Sequence, residues 1–180
     1  MKNANVNIDL DIDEFSKEVA VLIPDLISSR TTRRQKARLK LSEISPMVLD
    51  QVAKMIGSKN KQLRWEVAKS LEDRSSLGSI PVLLKLLEDE ESDIRWLAAE
   101  GLINIGRESI IPLLHEIIYD ESSYIREGAH HVLLELFTGK ERRDYHQLMK
   151  ALKHNRSVKG TASLKAKEVL ESFGRHISGS

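Results

Sequence analysis

Apolar residues between positions 79 and 107 recur at intervals of three and four, in two separate stripes. Spacings of three and four place side chains on one face of an α-helix. A short polar stretch, DEES at 89–92, divides the two stripes. The pattern therefore predicts two amphipathic helices joined by a turn. The two stripes consist of Leu83, Leu84 and Leu87, and of Ile94, Leu97, Ala98, Leu102 and Ile105.

The same pattern returns 31 residues further along the chain. Pro81 is followed by Pro112, and the Arg-Trp pair at 95–96 is preceded by an Arg-Trp pair at 64–65. A fixed period of this length is typical of stacked helical repeats. The sequence predicts an all-α fold, a right-handed α-solenoid of about five antiparallel helix pairs in a single domain, residues 13–176. The pairs are expected at 13–44, 45–75, 78–107, 108–138 and 141–176.

Both ends of the chain depart from the period. Residues 1–12 are expected to form an extended or disordered arm, and residues 177–180 a flexible tail. In the last pair the apolar stripe continues, and Lys159 takes the place of the repeated Arg, which puts the final helix in the position of a second helix. Terminal repeats drift in this way because their outer face meets solvent. The apolar stripe of the last pair comprises Val158, Ala162, Ala166, Val169 and Phe173.

The pattern P…LL…L…D…(I/L)RWxAAxxL over about 60–138 resembles HEAT repeats, in particular the short type of phycobilisome lyases. The resemblance implies an armadillo-type helical scaffold. It also implies that the turn Asp and the Arg six residues later form a hydrogen-bonded ladder between repeats, as Asp89 with Arg95 and Asp120 with Arg126. Ser58 replaces the Asp ahead of Arg64. Such scaffolds serve adaptors, inhibitors, lyases, repair proteins and a hydroxylase, so the resemblance does not specify the function.

Residues two positions after the buried Ile or Leu of each second helix point away from the core. They are expected to line the concave groove of the solenoid, where a protein partner would bind. Trp65 and Trp96 should form one patch at its floor, although an indole at this position also fits a purely structural role. The candidates are Trp65, Trp96 and Glu127, then Lys69, Glu100 and His131 one turn on, then Asn104 and Glu135.

Charge is nearly balanced, with 28 basic and 27 acidic residues, but it is unevenly distributed. The run RTTRRQKARLK at 30–40 holds six basic residues, of which Arg33, Arg34 and Arg38 are candidate contacts. This run leaves nucleic-acid binding as an alternative. Acidic groove positions would repel phosphate, and no aromatic residue within the run could stack on bases.

The sequence contains few groups of residues that could bind a metal or perform catalysis. Glu127, His131 and Glu135 share one helix face, but neighbouring repeats offer no further His to complete a metal site. Deoxyhypusine hydroxylase, a metal enzyme of this fold, carries His-Glu pairs where this chain has Trp65-Glu66, Trp96-Leu97 and Glu127-Gly128. No catalytic residue, cofactor or metal is therefore predicted.

The chain has no Cys, no signal-peptide pattern and no apolar run of about 20 residues, which predicts a cytoplasmic protein without a membrane partner. The predicted function is a non-catalytic protein-binding module, an adaptor or a stoichiometric inhibitor of the immunity-protein kind. The alternatives are a bilin lyase or chromophore-handling subunit, and nucleic-acid binding through the basic end repeats. The oligomeric state stays open.

Overall fold

A computed structural model of the chain describes residues 9–120, 122–153 and 160–178. Within these ranges the secondary structure consists of helices and contains no β-strand, which confirms the all-α prediction. Short 3-10 helices at Ile12–Glu14, Ser45–Met47, Leu77–Ser79 and Arg107–Ser109 lead into the longer elements. The α-helices are α1 Lys17–Ala20, α2 Ile23–Leu26, α3 Thr31–Ile44, α4 Leu49–Met55, α5 Lys61–Arg74, α6 Ile80–Leu86, α7 Ser92–Ile105, α8 Ile110–Tyr119, α9 Ser123–Leu136, α10 Gly139–Asp144, α11 His146–Lys153 and α12 Thr161–Ser178.

The three central pairs, α4 with α5, α6 with α7, and α8 with α9, fall within the predicted ranges 45–75, 78–107 and 108–138. Each of α6 and α8 follows a 3-10 turn. Pro81 is the second residue of α6, where a missing backbone N–H costs no hydrogen bond. The period read from the sequence therefore corresponds to one helix pair per repeat.

Two layers of helices build the solenoid. In the second-helix layer, α3 packs on α5, α5 on α7, α7 on α9, and α9 on α11. In the first-helix layer, α4 contacts α6, α6 contacts α8, and α8 contacts α12. Every repeat thus buries its apolar faces against its neighbours, and one continuous core runs between the layers. Both predicted stripes of the third repeat lie in this core, with Ile105 half-buried at its edge.

The last pair reverses the expected order of layers. Helix α12 packs against α8, a first helix, whereas the shorter α11 packs against α9, a second helix. Ser163 of α12 donates its hydroxyl to the Ile118 carbonyl of α8, over 2.8 Å. The assignment of the final helix as a second helix was wrong, because the stripe defines an apolar face but not the layer that this face covers. Val158 and Lys159 lie outside the described residues.

The ends of the chain are described in part. Residues 1–8 of the predicted arm lie outside the described residues, while Leu10 is half-buried against the core and Ile12–Glu14 forms a 3-10 turn. At the other end, α12 extends to Ser178, two residues into the segment predicted as a tail.

Candidate functional site

The turn between the helices of each central pair has the same hydrogen bond. Ser58, Asp89 and Asp120 stand 31 residues apart, and each side-chain oxygen accepts the backbone N–H two residues later, over 3.1, 2.9 and 2.7 Å. Such side-chain-to-backbone bonds fix a turn ahead of a helix. The turns thereby set the direction in which each second helix starts.

A repeated arginine supports the same turns. Arg34, Arg64 and Arg95 each donate Nη1 to the carbonyl six residues earlier, at Ser28, Ser58 and Asp89, over 2.7, 2.8 and 2.9 Å. The second helix therefore holds its own preceding turn, through an arginine in its first two turns.

The charged partner of Asp89 comes from the preceding repeat. Arg64 Nε and Nη2 lie 2.7 and 3.1 Å from the two oxygens of Asp89, and both side chains are almost fully buried. The hydrogen bond to Asp89 raises the pKa of Arg64 above its ordinary value, against the effect of burial. The pairing of Asp89 with Arg95 implied by the family resemblance is thus replaced, because Arg95 donates to the backbone carbonyls of Asp89 and Glu90. The Arg95 guanidinium also lies 4.0 Å above the ring of Tyr124.

Two of the basic candidates, which are only partly buried, pair with a buried carboxylate. Glu66, whose side chain is 2% exposed, accepts from Arg34 Nε over 3.1 Å and from Arg38 Nη1 over 3.0 Å. Arg38 also lies 5.9 Å from the centre of the Trp65 ring. Arg33 is exposed, with only a 3.8 Å approach to Asp25.

A depression of about 350 Å³ opens between α7 and α9 on the second-helix layer, and we call it the Trp96 depression. Trp96 is 57% exposed although its ring is large and apolar. Apolar and polar groups both line this surface. Its lining residues are Ser92, Arg95, Trp96, Ala99, Tyr124, Glu127, Gly128, His130, His131 and Leu134.

Trp65 lines a different depression, between α3 and α5, together with Arg34, Arg38 and Glu66. Its ring is half-buried against the core. The two indoles, expected to form one patch, thus line two separate depressions, the Trp96 depression with mixed apolar and polar lining and the Trp65 depression with paired charges.

Two predicted groove residues, Glu100 and His131, contact each other across repeats, and a third, Asn104, contacts the neighbouring helix. His131 Nε2 of α9 lies 2.9 Å from Glu100 Oε1 of α7, and Asn104 of α7 donates to Glu72 of α5 over 3.3 Å. The first contact places Glu100 and His131 side by side on neighbouring second helices. Their polar groups are partly satisfied within the protein.

The remaining candidates differ in their contacts and in their exposure. Lys69 pairs with Glu72 and with Asp73 of its own helix. Glu127 and Glu135 are exposed on α9, and Glu127 lines the Trp96 depression.

Tyr124, His130 and Leu134 of the Trp96 depression were missed by the sequence reasoning. Tyr124 directly precedes the buried Ile125, at the position that Asp93 occupies in the third repeat, so the period alone gave it no aromatic signature. Burial, followed by the charge of Lys153 and the proximity of His131, lowers the pKa of His130. This imidazole is therefore held toward its neutral form.

No group of three His, Asp or Glu side chains that could hold a metal ion occurs in the described part of the chain. Within the same ranges, no helix combines the length and the apolarity needed to cross a bilayer.

Stacked helix pairs, a shared turn geometry and an Arg-Asp link between neighbouring repeats define a helical-repeat scaffold protein. The family model for HEAT repeats matches residues 22–102 and 80–165, which together cover most of the chain. The chain belongs to the HEAT-repeat family. Repeats of this family generally mediate protein–protein interaction, and their scaffolds are typically non-catalytic. A comparison with curated proteins gave no match.

Proposed function

We propose that this protein is a non-catalytic adaptor or stoichiometric inhibitor that binds a protein partner along the concave side of its second-helix layer. The Trp96 depression forms the centre of the contact. The observation that most directly supports this proposal is the exposure of the Trp96 indole in a depression that is also lined by Tyr124 and Leu134. Large amphipathic rings on a rigid backbone are the anchors that protein interfaces favour.

The packing around Trp96 supports a preformed anchor. Arg95, next in sequence, is fixed by two backbone carbonyls and by the Tyr124 ring, so the start of α7 is held firmly beside α9. The His131 and Glu100 side chains join the same two helices one turn further on. A partner would therefore meet a surface that needs little ordering, which lowers the entropic cost of binding.

The charges favour a protein over a nucleic acid. Arg34 and Arg38, two of the three basic candidates that would contact phosphate, are already paired with the buried Glu66. Glu127, which lines the Trp96 depression, is exposed and acidic. A phosphate backbone laid along this surface would gain few counter-charges and would face a carboxylate.

Site-specific photocrosslinking in the source cells tests the proposal. A photoreactive side chain at position 127 should give one defined adduct, and Trp96→Ala should abolish that adduct while circular dichroism remains that of the parent protein. We expect Trp96→Ala to weaken partner binding by at least about 2 kcal/mol, the size of a central aromatic hot spot.

The matched control is the same photoreactive group at position 119. Tyr119 is 83% exposed but lies at the end of α8, in the first-helix layer. An adduct that persists in Trp96→Ala, or that forms equally from position 119, would show that the partner binds elsewhere.

A further inference from the structure

The second repeat lacks the turn carboxylate that the next two repeats possess. Ser58 stands where Asp89 and Asp120 stand, and its hydroxyl oxygen accepts the Asn60 N–H as their carboxylates accept the equivalent N–H groups. A hydroxyl fixes the turn but brings no negative charge. The repeat pattern therefore leaves one charge missing at this position.

Asp9, from the segment ahead of the first helix pair, fills that place. Its Oδ1 accepts from the Ser58 hydroxyl over 2.5 Å, and its Oδ2 accepts from the Lys59 backbone N–H over 2.7 Å. The Ser58 hydroxyl and then the Lys59 N–H lower the pKa of Asp9 below its ordinary value. The carboxylate of residue 9 is thus bound to the turn 49 positions further along the chain.

The helix behind this turn gains from a nearby anion. Helix α5 has no acidic residue in its first turn, whereas α7 has Asp93 there. Negative charge near the amino-terminal end of a helix is stabilising because the backbone dipoles point their positive end toward it. Asp9 supplies from outside the repeat what the α5 sequence does not contain.

Two further contacts attach the same segment to the second pair. Glu14 Oε2 lies 3.0 Å from Lys54 Nζ, and the Ser16 N–H donates to Gln51 Oε1 over 2.8 Å. Leu10 packs half-buried against the core. The polar partners Gln51, Lys54 and the 58–59 turn all belong to the second helix pair, so residues 9–16 bind the start of the chain to the neighbouring repeat.

We propose that residues 9–16 act as a latch on the amino-terminal end of the solenoid, in which Asp9 replaces the turn aspartate that the second repeat lacks. A carboxylate introduced at position 58 could take the place of Asp9 in this turn. It would repel Asp9 and release the segment. One side chain therefore controls whether the segment is docked. The latch involves no residue of the Trp96 depression, so it stands or falls separately from the proposed partner contact.

Amide hydrogen exchange of the full chain tests the latch at the Lys59 N–H. Asp9→Ala should accelerate exchange of this amide at least about tenfold, because hydrogen bonds to charged groups are among the stronger ones. Asp13→Ala is the matched control, since it removes the same charge from an exposed position in the same segment. Equal effects of the two substitutions, or no acceleration in Asp9→Ala, would overturn the proposal.

Ser58→Asp is the second variant and leaves Asp9 in place. We expect it to accelerate exchange at Lys59 and along residues 10–15, while the helical content and the exchange of α7 remain those of the parent protein. The introduced carboxylate would hold the Asn60 N–H as Asp89 holds that of Glu91. A Ser58→Asp protein in which residues 10–15 and Lys59 keep their parental protection would show that Asp9 does not compete for this turn.

Discussion

Arg64 should be the residue whose loss most weakens the connection between the second and third repeats. Its guanidinium donates to both oxygens of Asp89 over 2.7 and 3.1 Å and to the Ser58 carbonyl over 2.8 Å. The side chains of Arg64 and Asp89 are only 6% and 5% exposed. Arg64→Ala would therefore leave a carboxylate in the interior without its countercharge.

The magnitude follows from this burial. Removing one partner of a buried ion pair costs about 3–5 kcal/mol, most of which is the penalty of the uncompensated charge. We expect about 3 kcal/mol for Arg64→Ala, the lower end, because Asp89 keeps the Glu91 N–H as a donor. For a chain of this length, that loss corresponds to a decrease of roughly 6–12 °C in the melting temperature.

Arg95→Ala supplies the matched control one repeat further on. Arg95 donates to two backbone carbonyls and contacts Tyr124, and its removal leaves no buried carboxylate behind. We expect a cost of about 1 kcal/mol, the typical contribution of such hydrogen bonds. Urea denaturation followed by circular dichroism at a fixed protein concentration measures both variants.

A second substitution tests the cause of the effect. Asp89→Asn removes the charge but keeps an oxygen for the Glu91 N–H, so it should restore at least about 1 kcal/mol in the Arg64→Ala background. The reasoning is refuted if Arg64→Ala costs no more than Arg95→Ala, or if Asp89→Asn destabilises the Arg64→Ala protein further.

Two further outcomes are expected. Gly101→Ala should fail to give the increase of about 1 kcal/mol in the free energy of unfolding that this exchange usually brings within a helix, because an added Cβ would lie 2.9 Å from Cδ2 of the buried Leu83; a clearly raised melting temperature would contradict this packing. Burial, Lys153 and His131 lower the pKa of His130 from 6.5, so the unfolded state binds more protons between the folded pKa and 6.5. Stability should therefore decrease as the pH falls through this window, and urea titrations of His130→Gln at pH values of about 7.5 and 5.5 should show a smaller decrease than the parent protein.

The helix pairs of the central repeats could be predicted because the sequence signals that define each pair lie within one repeat. Apolar spacing, Pro81 near the start of α6 and the 31-residue period each reflect what one helix pair needs in order to bury its faces. The positions of Glu100 and His131 on one surface followed from the same period, and the structure brings them to 2.9 Å. The layer of α12 did not follow, since an apolar stripe fits against either layer.

Pairings between repeats were decided only by the tertiary structure. The sequence contains Arg64 and Arg95 one 31-residue period apart with Asp89 between them, but the relative displacement of stacked helices determines that Asp89 meets the earlier arginine. Likewise, Trp65 and Trp96 are equivalent in sequence, yet each faces a different neighbouring helix. The bond from Asp9 to Ser58 spans 49 residues and carries no periodic signal, because it compensates for a departure from the repeat. Periodicity therefore determined the repeating scaffold, while the contacts that depend on how one repeat is placed on the next required the folded chain.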